Sequence, residues 1–123
     1  MMFSPTPARP RPVRVQLPGM PSATIRLQDG QRSSARLQTV SVTGGLLRVL
    51  RPLSPGAIVE LFFPTASGAV LGLAEMLMPC VPAPLGLQPF RFVALDRGDL
   101  RKLHAAIALC LEQGGGSQAD GVP

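Results

Sequence analysis

The sequence has no tryptophan and no tyrosine, one histidine, one lysine and two cysteines among its 123 residues. Each scarcity excludes something. Cys80 and Cys110 form no Cys-x-x-Cys and no paired spacing, so neither a disulfide framework nor a zinc site is expected. Both read instead as small apolar filler. His104, the lone histidine, borders an apolar stripe and has no Cys or acid pair to work with. No Gly-x-Ser-x-Gly elbow is present, and Asp96 and Asp99 are taken up by a helix start. The residues therefore argue against an enzyme and for no cofactor. Long hydrophobic runs are also missing. The most apolar stretch, 57–78, is broken by Glu60, Pro64 and Glu75 and is no membrane span. The N-terminus has no continuous apolar core of a secretory signal, so a cytoplasmic protein is expected.

What is present is proline and glycine, 14 and 13 residues, with 46% hydrophobic residues and five Phe as the whole aromatic bulk. That mixture implies one domain of short strands and many turns. Eleven of the twelve basic residues are arginine, and they are unevenly placed. Up to Arg51 there are eight arginines against one acid, Asp29. Arginine suits planar and bidentate contacts to phosphate or guanine, although an Arg-rich composition also accompanies a general Ala, Gly and Pro bias.

Residues 1–22 hold six prolines and three arginines, Arg9, Arg11 and Arg14. Proline at that density rules out a helix or a central strand, and an extended, flexible arm is expected. Strands are predicted at 23–27, 32–40, 45–50, 57–63, 69–78 and 90–95, with an irregular proline-rich loop at 79–89. Phe62, Phe63, Phe90 and Phe92 are expected in the core. Asp96 caps a helix predicted over 97–112, whose Leu100, Leu103, Ile107, Cys110 and Leu111 make one apolar stripe. Gly114–Gly116 ends it, and 113–123 is expected to be a flexible tail. The body, 23–112, is thus a six-stranded antiparallel barrel carrying a C-terminal helix, a closed sheet that removes exposed edges.

The connection between the second and third strands stands out. In Val40-Ser41-Val42-Thr43-Gly44-Gly45-Leu46, Gly44 and Gly45 can supply positive φ, and Ser41 and Thr43 can bond their own backbone. This stretch resembles the second signature of the PilZ family: Asp or Asn, any residue, Ser, two residues, Gly. Ser41 and Gly44 match, and Thr39 stands where the family has Asp or Asn. The resemblance runs from about Arg9 to Ile107. It implies a barrel with a terminal helix and no catalysis, binding cyclic di-GMP between an Arg-x-x-x-Arg arm and the Ser41-x-x-Gly44 turn. The ligand-binding set it implies is Arg9, Arg11, Arg14, Thr39, Ser41 and Gly44. The arginine spacing departs from the family's: Arg9 to Arg14 has one residue too many, Arg11 to Arg14 one too few. The eight residues between Arg14 and Ala23 reach up to roughly 25 Å when extended, enough to cross a small barrel's face. Arg32 and Arg36 have the literal spacing but lie within a strand, where both project from one solvated face.

Two functions remain open at this point. One is a cyclic di-GMP receptor, favoured by Ser41, Gly44 and the arginine-rich arm. The other is a PilZ-like adaptor that has lost nucleotide binding and acts through protein contacts, favoured by Thr39 and the arginine spacing. A DNA- or RNA-binding barrel is the weaker third, because no exposed aromatic ladder is expected.

Overall fold

The structure is a computed structural model of the chain, and it describes residues 12–80 and 86–113. Six strands close into an antiparallel barrel in the order β1-β2-β3-β6-β5-β4. They are β1 Ser22–Arg26, β2 Arg32–Val40, β3 Gly44–Val49, β4 Ile58–Phe63, β5 Val70–Met76 and β6 Leu87–Ala94. One helix, α1 Arg97–Glu112, follows. Pairing of β1 with β4 closes the ring, Ile25 opposite Leu61. Alternate residues point inward, and Ile25, Leu37, Leu47, Leu61, Phe63 and Met76 are fully buried at the centre.

The alternation breaks at two places. Leu37 faces Leu47, but Thr39 faces Leu46, so Gln38 is an extra residue in β2. This bulge reverses the phase: Ala35 and Leu37 point inward before it, Val40 after it. A second irregularity lies between Leu73 and Ala74, opposite Val93.

Several expectations are corrected in detail. β6 begins at Leu87, not at residue 90, and so includes Pro89. Pro89 cannot donate to the ladder, but its carbonyl accepts from Leu77 N–H at 2.9 Å, so the strand continues through it. Gln88 is wholly buried there, and its amide bonds both the N–H and the carbonyl of Leu53. It thereby clamps the 50–57 loop onto the barrel. Phe62 is not core: it faces outward opposite Leu71, both 45% exposed. Phe90 is buried and meets Phe92 edge to face at 5.2 Å.

Asp96 caps α1 by accepting from Asp99 N–H at 2.8 Å, and that bond holds its carboxyl below the ordinary value. The buried stripe of α1 is Leu103, Ala106, Ile107 and Cys110; Leu111 is exposed. The helix is tied to the start of β5, where Leu71 N–H donates to Asp99 Oδ1 (3.0 Å) and Lys102 Nζ donates to the Ala69 carbonyl (3.2 Å).

Residues 12–21 differ most from expectation. They do not stand free of the barrel. Val15 is fully buried and exchanges both backbone hydrogen bonds with Val40, each 2.9 Å. Leu17 is buried, and Pro21 accepts from Leu37 N–H at 2.9 Å. The physical reason lies in Val13-Arg14-Val15-Gln16-Leu17, a short run of period two that places Val15 and Leu17 on one face. It extends the free edge of β2 beyond the point where β1 leaves it. The rest of the arm, residues 1–11, the loop at 81–85 and the tail from 114 lie outside the described residues.

Cys110 reports on this docking. It lines α1 against the arm, with Sγ donating to the Gln16 carbonyl at 3.4 Å, and burial raises its thiol pKa. Cys80 is exposed. A thiol reagent at pH 8 is therefore expected to modify one thiol, Cys80, rapidly and Cys110 only when arm and helix separate. Equal labelling rates for the two would mean that the arm is not docked.

Candidate functional site

The turn between β2 and β3 is held from within. Ser41 N–H donates to the Gly44 carbonyl at 2.7 Å. The Ser41 hydroxyl accepts from Thr43 N–H at 3.2 Å, lies 3.1 Å from the Thr43 hydroxyl and reaches the Gly44 carbonyl at 3.3 Å. Ser41 is buried, and these three bonds take up its one proton and both lone pairs, so its hydroxyl shapes the turn. The Thr43 carbonyl is in turn fixed by Phe92 N–H at 2.8 Å, which joins the turn to β6.

The two glycines do a different job from the one expected. Neither Gly44 nor Gly45 has positive φ. Both are strand residues, and each is glycine because a neighbouring strand passes too close for a side chain. A Cβ on Gly44 would run into the Phe90 carbonyl oxygen and lie 2.9 Å from Arg91 Cα. On Gly45 it would meet the Thr39 carbonyl oxygen and stand 3.0 Å from the Phe90 ring. The sequence cue that marks this part of the turn therefore encodes close packing of β2, β3 and β6.

The arm completes the arrangement. With Val15 opposite Val40 in antiparallel register, the neighbouring positions fall level with each other: Arg14 with Ser41, and Gln16 with Thr39. Arg14 is exposed. Thr39 follows the bulge, and its hydroxyl is buried without a hydrogen-bond partner, as is Oε1 of Gln38. So three of the six sequence-predicted site residues, Thr39, Ser41 and Gly44, share one corner of the barrel, and Arg14 is brought to it. Arg9 and Arg11 lie outside the described residues. Arg32 and Arg36 are both exposed, as expected of one strand face. Arg32 faces Arg26 and Arg36 faces Arg48, and Arg36 Nη1 also donates to the Met20 carbonyl at 3.1 Å. That bond steadies the bend at Gly19 and Met20, both at positive φ.

Val15, Gln16 and the Gln38 bulge were not singled out by sequence reasoning. The alternation at 13–17 was a usable signal for the first two. The bulge had none, because one extra residue in a strand leaves no mark in composition. Among the described residues no cluster of three or more His, Cys, Asp or Glu could hold a metal ion. No described helix is long and apolar enough to cross a membrane.

No protein-family profile matches this chain, and no curated protein does either. Solved structures do. The PilZ domain of YcgR from Escherichia coli, solved with c-di-GMP, superposes with a TM-score of 0.63 at 17% identity, over 86% of this chain and 95% of that one. MrkH of K. pneumonia in its apo state gives 0.69 at 15% identity, over 87% and 52%. The inhibitor of motility of Bacillus subtilis (MotI/DgrA) gives 0.68 at 14%, over 86% and 53%. This chain thus spans nearly all of the isolated YcgR domain and about half of the two longer proteins. At such identities the likeness is one of fold, and it reaches most of the chain: the six-stranded barrel with its C-terminal helix is the fold of a PilZ domain.

Proposed function

We propose that this chain is a non-catalytic receptor domain for cyclic di-GMP, with the nucleotide held between the arginine-bearing arm and the Ser41–Gly44 turn. The observation that carries the reading is the Val15–Val40 pair, which keeps Arg14 level with Ser41. The ligand offers two guanine edges and two phosphates. An exposed guanidinium can bond guanine O6 and N7 or grip a phosphate with two parallel bonds. Arg9 and Arg11 precede Arg14 on the same arm and would supply further contacts. The turn, held rigid by the bonds of Ser41 to Thr43 and Gly44, forms the floor. Arm and barrel act as one unit, and ligand binding would change the surface they present.

Isothermal titration of the full chain with cyclic di-GMP tests this. Saturable heat is expected, and Arg14→Ala should weaken binding by about 1–3 kcal/mol, the range for a lost bidentate guanine contact. Thr39→Asn should tighten it if the position faces guanine, since a carboxamide reaches further and offers both donor and acceptor. Thr39→Asp, measured beside it, adds a charge that repels the ligand's phosphates. No heat with wild type and both Thr39 variants would reject the receptor reading. The second reading, an adaptor acting through protein contacts, is favoured by one feature: the Ser41 hydroxyl is engaged within the turn and the Thr39 hydroxyl is buried.

A further inference from the structure

The end of the barrel away from the Ser41 turn carries a combination that nucleotide binding does not use. At this end β1 finishes, β2 starts, β3 finishes and β6 starts. Leu50, where the chain leaves β3, is 88% exposed, and Met78, just past β5, is 70% exposed. Scattered exposed aliphatics are ordinary. These two, however, flank the start of the same strand. Arg48 faces Leu87 on one side of β6, and Cys80 N–H bonds the Leu87 carbonyl on the other. Two strand spacings, about 10 Å, separate the two flanks.

Arginines lie on the Leu50 side of this end. Arg48 and Arg51 bracket Leu50 in sequence, and Arg26 and Arg32 face each other across the β1–β2 hairpin. Like charges placed opposite one another in a sheet are destabilising. Glu60 partly offsets Arg26 at 3.8 Å, and Asp29 accepts from Gln31 N–H within the hairpin. Among the described residues, Arg32, Arg48 and Arg51 have no carboxylate partner. The end thus presents protruding aliphatic side chains, with uncompensated guanidinium groups on the β2–β3 side, next to Leu50, and Glu60 and Glu75 on the β4–β5 side.

We infer that this end of the barrel docks on an anionic phospholipid surface, with Leu50 and Met78 entering the headgroup layer and Arg32, Arg48 and Arg51 meeting lipid phosphates and carboxylates. Charge complementarity selects an anionic partner. The protruding aliphatics select lipid over nucleic acid, whose phosphate backbone offers them nothing to pack against. Attraction of this kind adds per arginine and falls off within a Debye length. Docking would leave the Ser41 turn, at the opposite end, facing the solvent.

The test is co-sedimentation of the full chain with vesicles of phosphatidylcholine alone or with 30% phosphatidylserine, beside titration with a 20-base-pair DNA duplex. Binding to the serine-containing vesicles is expected to exceed that to phosphatidylcholine at least ten-fold and to fade at 0.5 M NaCl. The double variant Arg48→Gln with Arg51→Gln should lose about thirty-fold, the effect of two surface arginines. Leu50→Ser should lose roughly ten-fold, as apolar insertion is removed. These side chains are exposed, so melting temperature and nucleotide affinity should stay as in wild type. Equal binding to both vesicle types would overturn the inference. So would full binding by Leu50→Ser, and so would a duplex preferred over vesicles, which would make this a nucleic-acid surface.

Discussion

Gly44→Val should leave no folded barrel. The substituted Cβ meets the Phe90 carbonyl oxygen and the Arg91 backbone, which belong to the neighbouring strand of the same ladder. A flexible side chain could turn away from such a clash, but a backbone carbonyl cannot without giving up its own pairing. The β3–β6 ladder must open where Gly44 faces Arg91, beside the bond from Phe92 N–H to the Thr43 carbonyl. A cost above about 4 kcal/mol is expected, among the largest for a single substitution. Thermal unfolding followed by circular dichroism reads it directly, with Gly30→Ala as the contrast. Gly30 sits at φ +92 with nothing within 4 Å, so alanine there meets only backbone strain, about 1–2 kcal/mol. If Gly44→Val melts within a few degrees of Gly30→Ala, then β3 and β6 are not as close as described. Loss of nucleotide binding in Gly44→Val says nothing about ligand contact, because the barrel itself fails.

Val15→Asp should abolish cyclic di-GMP binding while leaving a folded barrel. Val15 is fully buried and pairs with Val40, so an aspartate there would bury an unpaired charge. The segment has an easier way out than the barrel does. It is held by one ladder pair, by Leu17 and by the contact of Cys110 with the Gln16 carbonyl, and it can leave as a unit. The barrel then loses the burial of Val15 and Leu17, about 1.5–3 kcal/mol each, and keeps its six strands. Arg14 is no longer held beside Ser41, and heat on titration should vanish. Two further readouts should move together: trypsin should cut after Arg14 faster than in wild type, and Cys110 should become open to thiol reagents. A variant that melts like wild type, resists cleavage at Arg14 and still binds the nucleotide would show that the Val15–Val40 pair does not position the arm.

Much of the architecture was legible from local pattern. The strand at 58–63 and the helix at 97–112 follow from strand-like aliphatics and from an Asp cap with a helical stripe. These signals are local, because each depends on residues within one or two turns of chain. Barrel closure was legible only as a preference for hiding edges; the order β1-β2-β3-β6-β5-β4 is the non-local fact that realises it. Composition also determined the charge asymmetry and the lack of any long apolar helix.

Three things were decided only by the tertiary structure. Gly44 and Gly45 look in sequence like turn glycines, yet φ is ordinary at both and the demand for glycine comes from the Phe90 and Thr39 carbonyls, on strands distant in sequence or across the hairpin. Arg14 was placed in the arm by its position, but what sets it beside Ser41 is the open edge of β2, which exists because β1 pairs only as far as Ser22 with Arg36. Thr39 stands after a bulge that no local pattern announces, and so the direction of its hydroxyl depends on how β2 and β3 register. In each case the deciding contact joins strands through backbone atoms, which every residue type shares, so the sequence does not say which strand makes the contact.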